Sequence, residues 1–133
     1  MKRFIWVFTV LNLFGCHFVS ATPPEQKNPK AGESFEMKIG DSHTLGGGNL
    51  SFQFDSVPED SRCARGRVCI WAGNAVVVLK FIDSKESLNT YSKPHEIIKG
   101  PYNITLVSLS PYPDGNYTIP QDSYTIQLVV NRN

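Results

Sequence analysis

The chain has 133 residues, 19% of them charged, and its formal net charge at neutral pH is +1. This length is sufficient for one domain of ordinary size, and the balanced charge provides no basic cluster of the kind that binds a nucleic-acid backbone. We therefore expect no nucleic-acid partner.

The N-terminus has the pattern of a secretory signal. Lys2 and Arg3 precede the stretch 4–15, which is apolar except for Thr9 and Asn12. This stretch is too short to cross a bilayer, which needs about 20 apolar residues, and it matches the basic start and short apolar core of an export signal. No second apolar segment follows, so the sequence predicts an exported protein that reaches a membrane only through its N-terminus.

Two processing sites are open. Val19-Ser20-Ala21 predicts a signal peptide of residues 1–21, cleaved to leave a chain that starts at Thr22. Leu13-Phe14-Gly15-Cys16 resembles a bacterial lipobox, which predicts a signal of residues 1–15 and lipidation of Cys16. The first alternative gives a secreted or periplasmic protein, and the second gives a lipid-anchored protein of the cell envelope.

The cysteine count agrees with export. Cys63 and Cys69 are the two cysteines of the mature chain, and in an oxidising compartment they predict a disulfide. Cys16 is either lipidated or removed, so neither route leaves a free thiol. Removing residues 1–21 takes away Lys2 and Arg3, so 11 basic and 12 acidic residues remain and the net charge is −1.

Residues 22–34 are rich in Pro, Gly, Lys and Glu, and they predict a flexible linker between the export signal and a single domain of residues 35–133. From Phe35 onward, apolar residues recur with a period of two, which is typical of β-strands. The apolar stretch 75–82 predicts a central strand, and a change of phase near Val107 and Ser108 predicts a bulge. The other strands are predicted at 35–39, 50–54, 102–106 and 124–130.

Helical signals are nearly absent. Ser84–Leu88 is the best candidate and offers about one turn, while Gly46–Asn49 predicts a tight turn. Six or seven short strands favour an all-β fold, namely a small antiparallel β-sandwich of the immunoglobulin-like kind, with a small β-barrel as the alternative. We expect a monomer.

The most distinctive segment is 57–75, VPEDSRCARGRVCIWAGNA. A bridge between Cys63 and Cys69 would close a short loop, which the loop-entropy relation gives about 2.4 kcal/mol of stabilisation. Trp71 follows two residues later and is expected to pack over the bridge, with Ala72 and Gly73 leaving room for its ring.

The stretches Glu59-Asp60-Ser61-Arg62-Cys63 and Cys69-Ile70-Trp71-Ala72-Gly73-Asn74-Ala75 resemble the signature of a family of small exported bacterial β domains of unknown function. Members often carry lipoprotein-type signals, so the resemblance implies fold and location but no chemistry. Ala64 departs from the pattern, in which proline follows the first cysteine.

Two residue groups are candidates for chemistry. Asp55, Glu59 and Asp60 are an acidic group that suits a cation site or an acid–base pair. The alternative, which we favour, is a solvated loop in which Asp60 caps a turn and Arg62 pairs with a neighbouring carboxylate.

His43 and His95 could join Cys63 and Cys69 in a zinc site, but the five-residue gap between the cysteines is wider than usual zinc spacing. No nucleophile elbow or phosphate loop is present in the sequence. We therefore predict no catalytic, cofactor-binding or metal-binding residues.

These observations predict a non-enzymatic module that binds a macromolecule or glycan of the cell envelope. The predicted contact residues are Arg62, Arg65, Arg67 and Trp71. One alternative is a protease inhibitor that presents Arg65 or Arg67 from the Cys63–Cys69 loop in a substrate-like way. The other is a hydrolase or metal-dependent enzyme that uses the acidic group.

Overall fold

A computed structural model describes residues 32–115 and 118–133. The predicted signal peptide, the candidate lipidation site Cys16 and most of the predicted linker lie outside these residues. In the described part, the chain forms eight β-strands and two short 3-10 turns, Gly46–Gly48 and Gln121–Ser123. The strands are β1 Ser34–Lys38, β2 Ser42–Leu45, β3 Leu50–Asp60, β4 Ala75–Phe81, β5 Lys85–Asn89, β6 Glu96–Lys99, β7 Tyr102–Ser110 and β8 Thr125–Arg132.

The strands form two antiparallel sheets of four, in the orders β1-β8-β7-β6 and β2-β3-β4-β5. The sheets pack face to face as a sandwich, so the predicted fold class is confirmed and the barrel alternative is wrong. Strand β4 has a neighbour on both sides, as its Val-rich sequence predicts.

The core lies between the two sheets, where alternate residues of each strand point inward. Phe54, Leu79 and Leu88 of one sheet and Ile104, Ile126 and Leu128 of the other are fully buried. This alternation is the period of two that the sequence shows.

The predicted bulge in β7 is confirmed. Leu106 pairs with Leu128 and Ser108 pairs with Gln127, so Val107 is the extra residue. Val107 faces solvent, and the shift of register returns Leu109 to the core.

The prediction of a helical turn at Ser84–Leu88 is wrong. Lys85–Asn89 forms β5, which pairs with β4 and buries Leu88. A local helical preference of five residues is weak, and pairing with a central strand overrides it. The four-residue edge strands β2 and β6 were also missed, because each is too short to show a clear period.

The two ends of the sandwich differ. At one end, here called the loop end, strands β1, β3 and β7 finish and strands β4 and β8 begin. There Lys38 and Ser110 each pair with Thr125, and Asp60 pairs with Ala75. The far end carries Ser34, the β4–β5 turn and the β6–β7 turn. The N-terminal end of the domain therefore lies opposite the β3–β4 connection.

Candidate functional site

The connection between β3 and β4 is a disulfide-bridged hairpin, here called the bridged loop (residues 63–72). The sulfur atoms of Cys63 and Cys69 are 2.01 Å apart, which confirms the predicted bond. Backbone hydrogen bonds continue past the two strands, from Ser61 N to Asn74 O at 2.7 Å and from Cys63 N to Ala72 O at 2.9 Å. The loop is thus held at its neck by main-chain pairing and across its middle by the bridge.

Gly73 is required where the bridged loop narrows to its neck. Its φ of 73° lies in the left-handed region, and a Cβ at this position would overlap the carbonyl oxygen of Ser61. The sequence suggested that Gly73 makes room for the Trp71 ring. The structure gives a different reason, which is the close approach of the two backbone segments.

Arg62 anchors the base of the bridged loop. Its guanidinium binds the Asp60 carboxylate in a two-pronged arrangement, with Nε–Oδ1 at 2.8 Å and Nη2–Oδ2 at 2.6 Å. The same guanidinium donates to the carbonyl of Leu109 at 2.7 Å and to that of Pro111 at 2.8 Å. Only 6% of the Arg62 side chain is exposed, so this residue joins the two sheets and is not part of the contact surface that the sequence predicted.

The electrostatics of this base favour the ion pair. Burial alone would raise the pKa of Asp60, but hydrogen bonds from Arg62 and Tyr124 outweigh burial and hold that pKa below its usual value. Burial and the neighbouring Asp60 carboxylate raise the pKa of Tyr124 to about 12. Tyr124 therefore remains a neutral donor to Asp60, at 2.9 Å. Arg62 N also donates to Asp60 Oδ1, so the predicted cap and the predicted pairing of Arg62 with a neighbouring carboxylate are both present. The expectation that they lie in a solvated loop is wrong, because both side chains are buried where the carbonyls of Leu109 and Pro111 satisfy Arg62.

Asn74 fixes the neighbouring connection and was missed by the sequence analysis. Its buried side chain donates to Asn89 Oδ1 at 2.9 Å and accepts from the backbone N–H groups of Tyr91 and Ser92. Several residues of the E-D-S-R-C and C-I-W-A-G-N-A stretches thus have structural tasks around the loop. The only signal for the role of Asn74 was its place in that segment.

Residues 68–71 of the bridged loop, which surround Cys69 and are here called the apolar tip, carry three exposed apolar side chains. Val68 is 104% exposed and Ile70 is 106% exposed, relative to a fully accessible residue, and Trp71 is 61% exposed. Trp71, which the sequence predicted to pack over the bridge, has most of its side chain in solvent. Large apolar side chains that stay exposed on a constrained loop are a common feature of interaction sites.

The two remaining arginines of the loop fold back toward residues 111–115. The Arg65 guanidinium lies 5.6 Å from the centre of the Tyr112 ring, and Arg65 N donates to Pro113 O at 2.9 Å. Arg67 Nη2 contacts Gly115 O at 3.5 Å. Arg67 N bonds to Ala64 O, which closes a tight turn. Both side chains nevertheless remain exposed.

The acidic group does not converge. Asp60 is engaged by Arg62, while Asp55 pairs with Lys85 at 2.9 Å, and this contact lowers the pKa of Asp55. Glu59 is exposed at the end of β3. The three carboxylates therefore have separate environments and offer no shared cation site.

The histidines are also apart from the loop. His43 lies against Phe35, with ring centres 4.5 Å apart, and His95 Nδ1 lies 2.9 Å from Asn89 O. The disulfide occupies both predicted thiol ligands. Among residues 32–115 and 118–133, no group of three His, Cys, Asp or Glu side chains could hold a metal ion.

A surface cleft of about 620 Å³ lies beside β6, between Lys93 and Thr105. It contains His95 and Glu96, but Glu96 accepts a hydrogen bond from Asn103 at 2.8 Å and His95 contacts a backbone carbonyl. The cleft lacks an arranged nucleophile and base, so the bridged loop is the better candidate site.

Within the described ranges, no helix is long and apolar enough to span a bilayer. Comparison of the chain with protein-family models, with curated proteins and with solved structures finds no match.

Proposed function

We propose that this protein is a non-enzymatic binding module of the cell envelope, which contacts another component of the envelope through the bridged loop. The observation that carries the proposal is the complete exposure of Val68 and Ile70 on a loop whose base is fixed. Exposed apolar groups have a favourable free energy of burial in a partner, and a preorganised loop loses little conformational entropy on binding. The contact residues are then Arg65, Arg67, Val68, Ile70 and Trp71.

The compartment remains part of the proposal. Export is supported by the N-terminal sequence and agrees with the disulfide, which persists in oxidising environments. The intact mass of the exported protein distinguishes a chain that begins at Thr22 from one that begins at a lipidated Cys16.

The inhibitor alternative is less well supported. A substrate-like inhibitor needs an extended backbone at the arginine and a side chain that projects away from the domain. Here Ala64–Arg67 is a tight turn with Gly66 at φ 75°, and the guanidinium of Arg65 lies over Tyr112. Among the residues that the structure describes, neither the acidic group nor the histidines converge, so the enzyme alternative has less support than the binding module.

Site-specific photocrosslinking tests the proposal. A photoreactive amino acid replaces Ile70 in the full chain, produced in the organism that makes it, and the adducts are identified by mass spectrometry. The matched control is the same replacement at Ile82, which is 101% exposed but lies at the far end. We expect a discrete adduct, to protein, lipid or glycan, from position 70 only. Equal labelling from both positions, or none from either, would contradict a partner contact at the bridged loop.

A further inference from the structure

The shape of the apolar tip restricts what it can bind. Val68 and Ile70 project from a hairpin connection and are fully exposed, so the tip is convex. Neither side chain can form a hydrogen bond, and sugar recognition needs polar groups beside any aromatic platform. A glycan therefore leaves these two residues without a favourable contact.

The charge beside the tip is positive. Residues 63–72 and 111–115 contain Arg65, Arg67 and Asp114 as their ionisable side chains, apart from the tyrosine, which gives a net charge of +1. Arg65 lies over the Tyr112 ring and Arg67 contacts the Gly115 carbonyl oxygen, and both side chains remain exposed. Two copies of the chain that met through these segments would bring two positively charged surfaces together, so the charge disfavours self-association and favours an anionic surface.

Trp71 completes the pattern. Tryptophan is enriched at the level of the lipid headgroups, where its ring is partly buried and its N–H stays near water. Interfacial membrane anchors combine apolar side chains that enter the acyl region with tryptophan and basic residues at the level of the headgroups. The apolar tip, Trp71 and the two arginines provide the same residue types. A protein cleft would need a shape that fits this tip, whereas a bilayer needs none.

Resting on the proposed function of the bridged loop, we infer that its partner is a phospholipid surface with anionic headgroups. Val68 and Ile70 enter the bilayer, Trp71 lies at the interface, and Arg65 and Arg67 face the lipid phosphates. The sequence predicted membrane contact only through the N-terminus, and this is a second contact. Because Ser34 lies at the far end of the sandwich, the chain enters the domain at the end opposite the bridged loop.

Tryptophan fluorescence measures this contact locally. Trp6 and Trp71 are the two tryptophans of the chain, so Trp6→Phe leaves Trp71 as the sole tryptophan whichever N-terminus the protein has. The exported protein with this change is titrated with vesicles of phosphatidylethanolamine and phosphatidylglycerol, or of phosphatidylcholine alone. With the anionic vesicles we expect the Trp71 emission to shift to shorter wavelength and to be quenched by brominated acyl chains. An N-terminal lipid anchor could bind either vesicle, but it does not by itself bury Trp71.

Three variants in this background separate the contributions. Val68→Ser/Ile70→Ser should weaken the lipid-dependent shift of Trp71 by more than about 100-fold in lipid concentration, because two buried apolar side chains are lost. Arg65→Gln/Arg67→Gln should weaken it by about 30-fold at low salt. Ile82→Ser removes an equally exposed isoleucine at the far end and should leave the titration unchanged.

The outcomes are distinguishable from those of the crosslinking experiment. An unchanged Trp71 emission with anionic vesicles would overturn the lipid inference. So would an equal emission shift with phosphatidylcholine vesicles, or an equal shift when Val68→Ser/Ile70→Ser is titrated with the anionic vesicles. If position 70 then still crosslinked to a protein or glycan, the binding-module proposal would stand with a different partner. If position 70 gave no adduct either, both would fail.

Discussion

Removal of the Arg62 side chain should be the most damaging single change at the base of the bridged loop. Arg62→Ala deletes the guanidinium that binds Asp60 and the carbonyls of Leu109 and Pro111. It leaves the Asp60 carboxylate buried, with Tyr124 as its remaining side-chain donor. The two sheets also lose a direct polar link at the loop end.

The magnitude follows from that environment. Breaking a buried ion pair by removing one partner costs about 3–5 kcal/mol, because the other charge stays uncompensated. Domains of this size have a free energy of unfolding of about 5–15 kcal/mol, so the loss is a large fraction of the total. At about 4–8 °C per kcal/mol for a domain of roughly 100 residues, the melting temperature should fall by at least about 12 °C.

Thermal unfolding followed by far-ultraviolet circular dichroism, together with urea denaturation, measures this loss. Arg65→Ala is the matched control. It removes the same type of side chain from a position that is exposed and lies three residues after Arg62. Its free energy of unfolding should stay within about 0.5 kcal/mol of the wild type. Arg62→Lys keeps the charge but cannot reproduce the two-pronged contact with Asp60, so it should lie between the wild type and Arg62→Ala.

The opposite pattern would refute the reasoning. If Arg62→Ala melted within about 2 °C of the wild type, the buried pair would not stabilise the fold as its geometry implies. If the same variant also lost photocrosslinking from position 70, Arg62 would belong to the contact surface after all.

Two further predictions concern the glycine at the neck and the histidine between the sheets. Gly73→Ala should lower the free energy of unfolding by more than about 2 kcal/mol, because it combines left-handed strain with overlap on the Ser61 carbonyl; urea denaturation showing a smaller loss would contradict the close approach. Burial against Phe35 lowers the pKa of His43, and the Asp41 carboxylate partly opposes this shift. Because the unfolded chain then binds the proton more readily than the folded one, the free energy of unfolding should decrease as pH falls below about 6.5. His43→Gln should flatten this pH dependence between pH 7.5 and 5.5, and an unchanged slope would count against it.

Local pattern was sufficient in the longer strands, where several apolar residues either alternate with polar ones or form a continuous stretch. The alternation of Leu50, Phe52 and Phe54, the apolar stretch 75–82 and the phase change at Val107 each correspond to a feature of the sandwich. The pairing of Cys63 with Cys69 was equally accessible, because the predicted export compartment and the cysteine count left one combination. These features depend on neighbours close in sequence.

The roles of the charged and apolar residues near the bridge required the tertiary structure. The sequence predicted Arg62, Arg65 and Arg67 all as contact residues. Arg62 is instead buried, because Leu109 and Pro111, nearly fifty residues away, supply carbonyls that satisfy it. Likewise, Lys85–Asn89 is a strand because β4 lies beside it. Local sequence does not record which distant backbone groups will be neighbours. The same limit explains why the exposure of Val68 and Ile70 emerged only from the fold. Whether an apolar side chain is buried depends on whether another part of the chain packs against it.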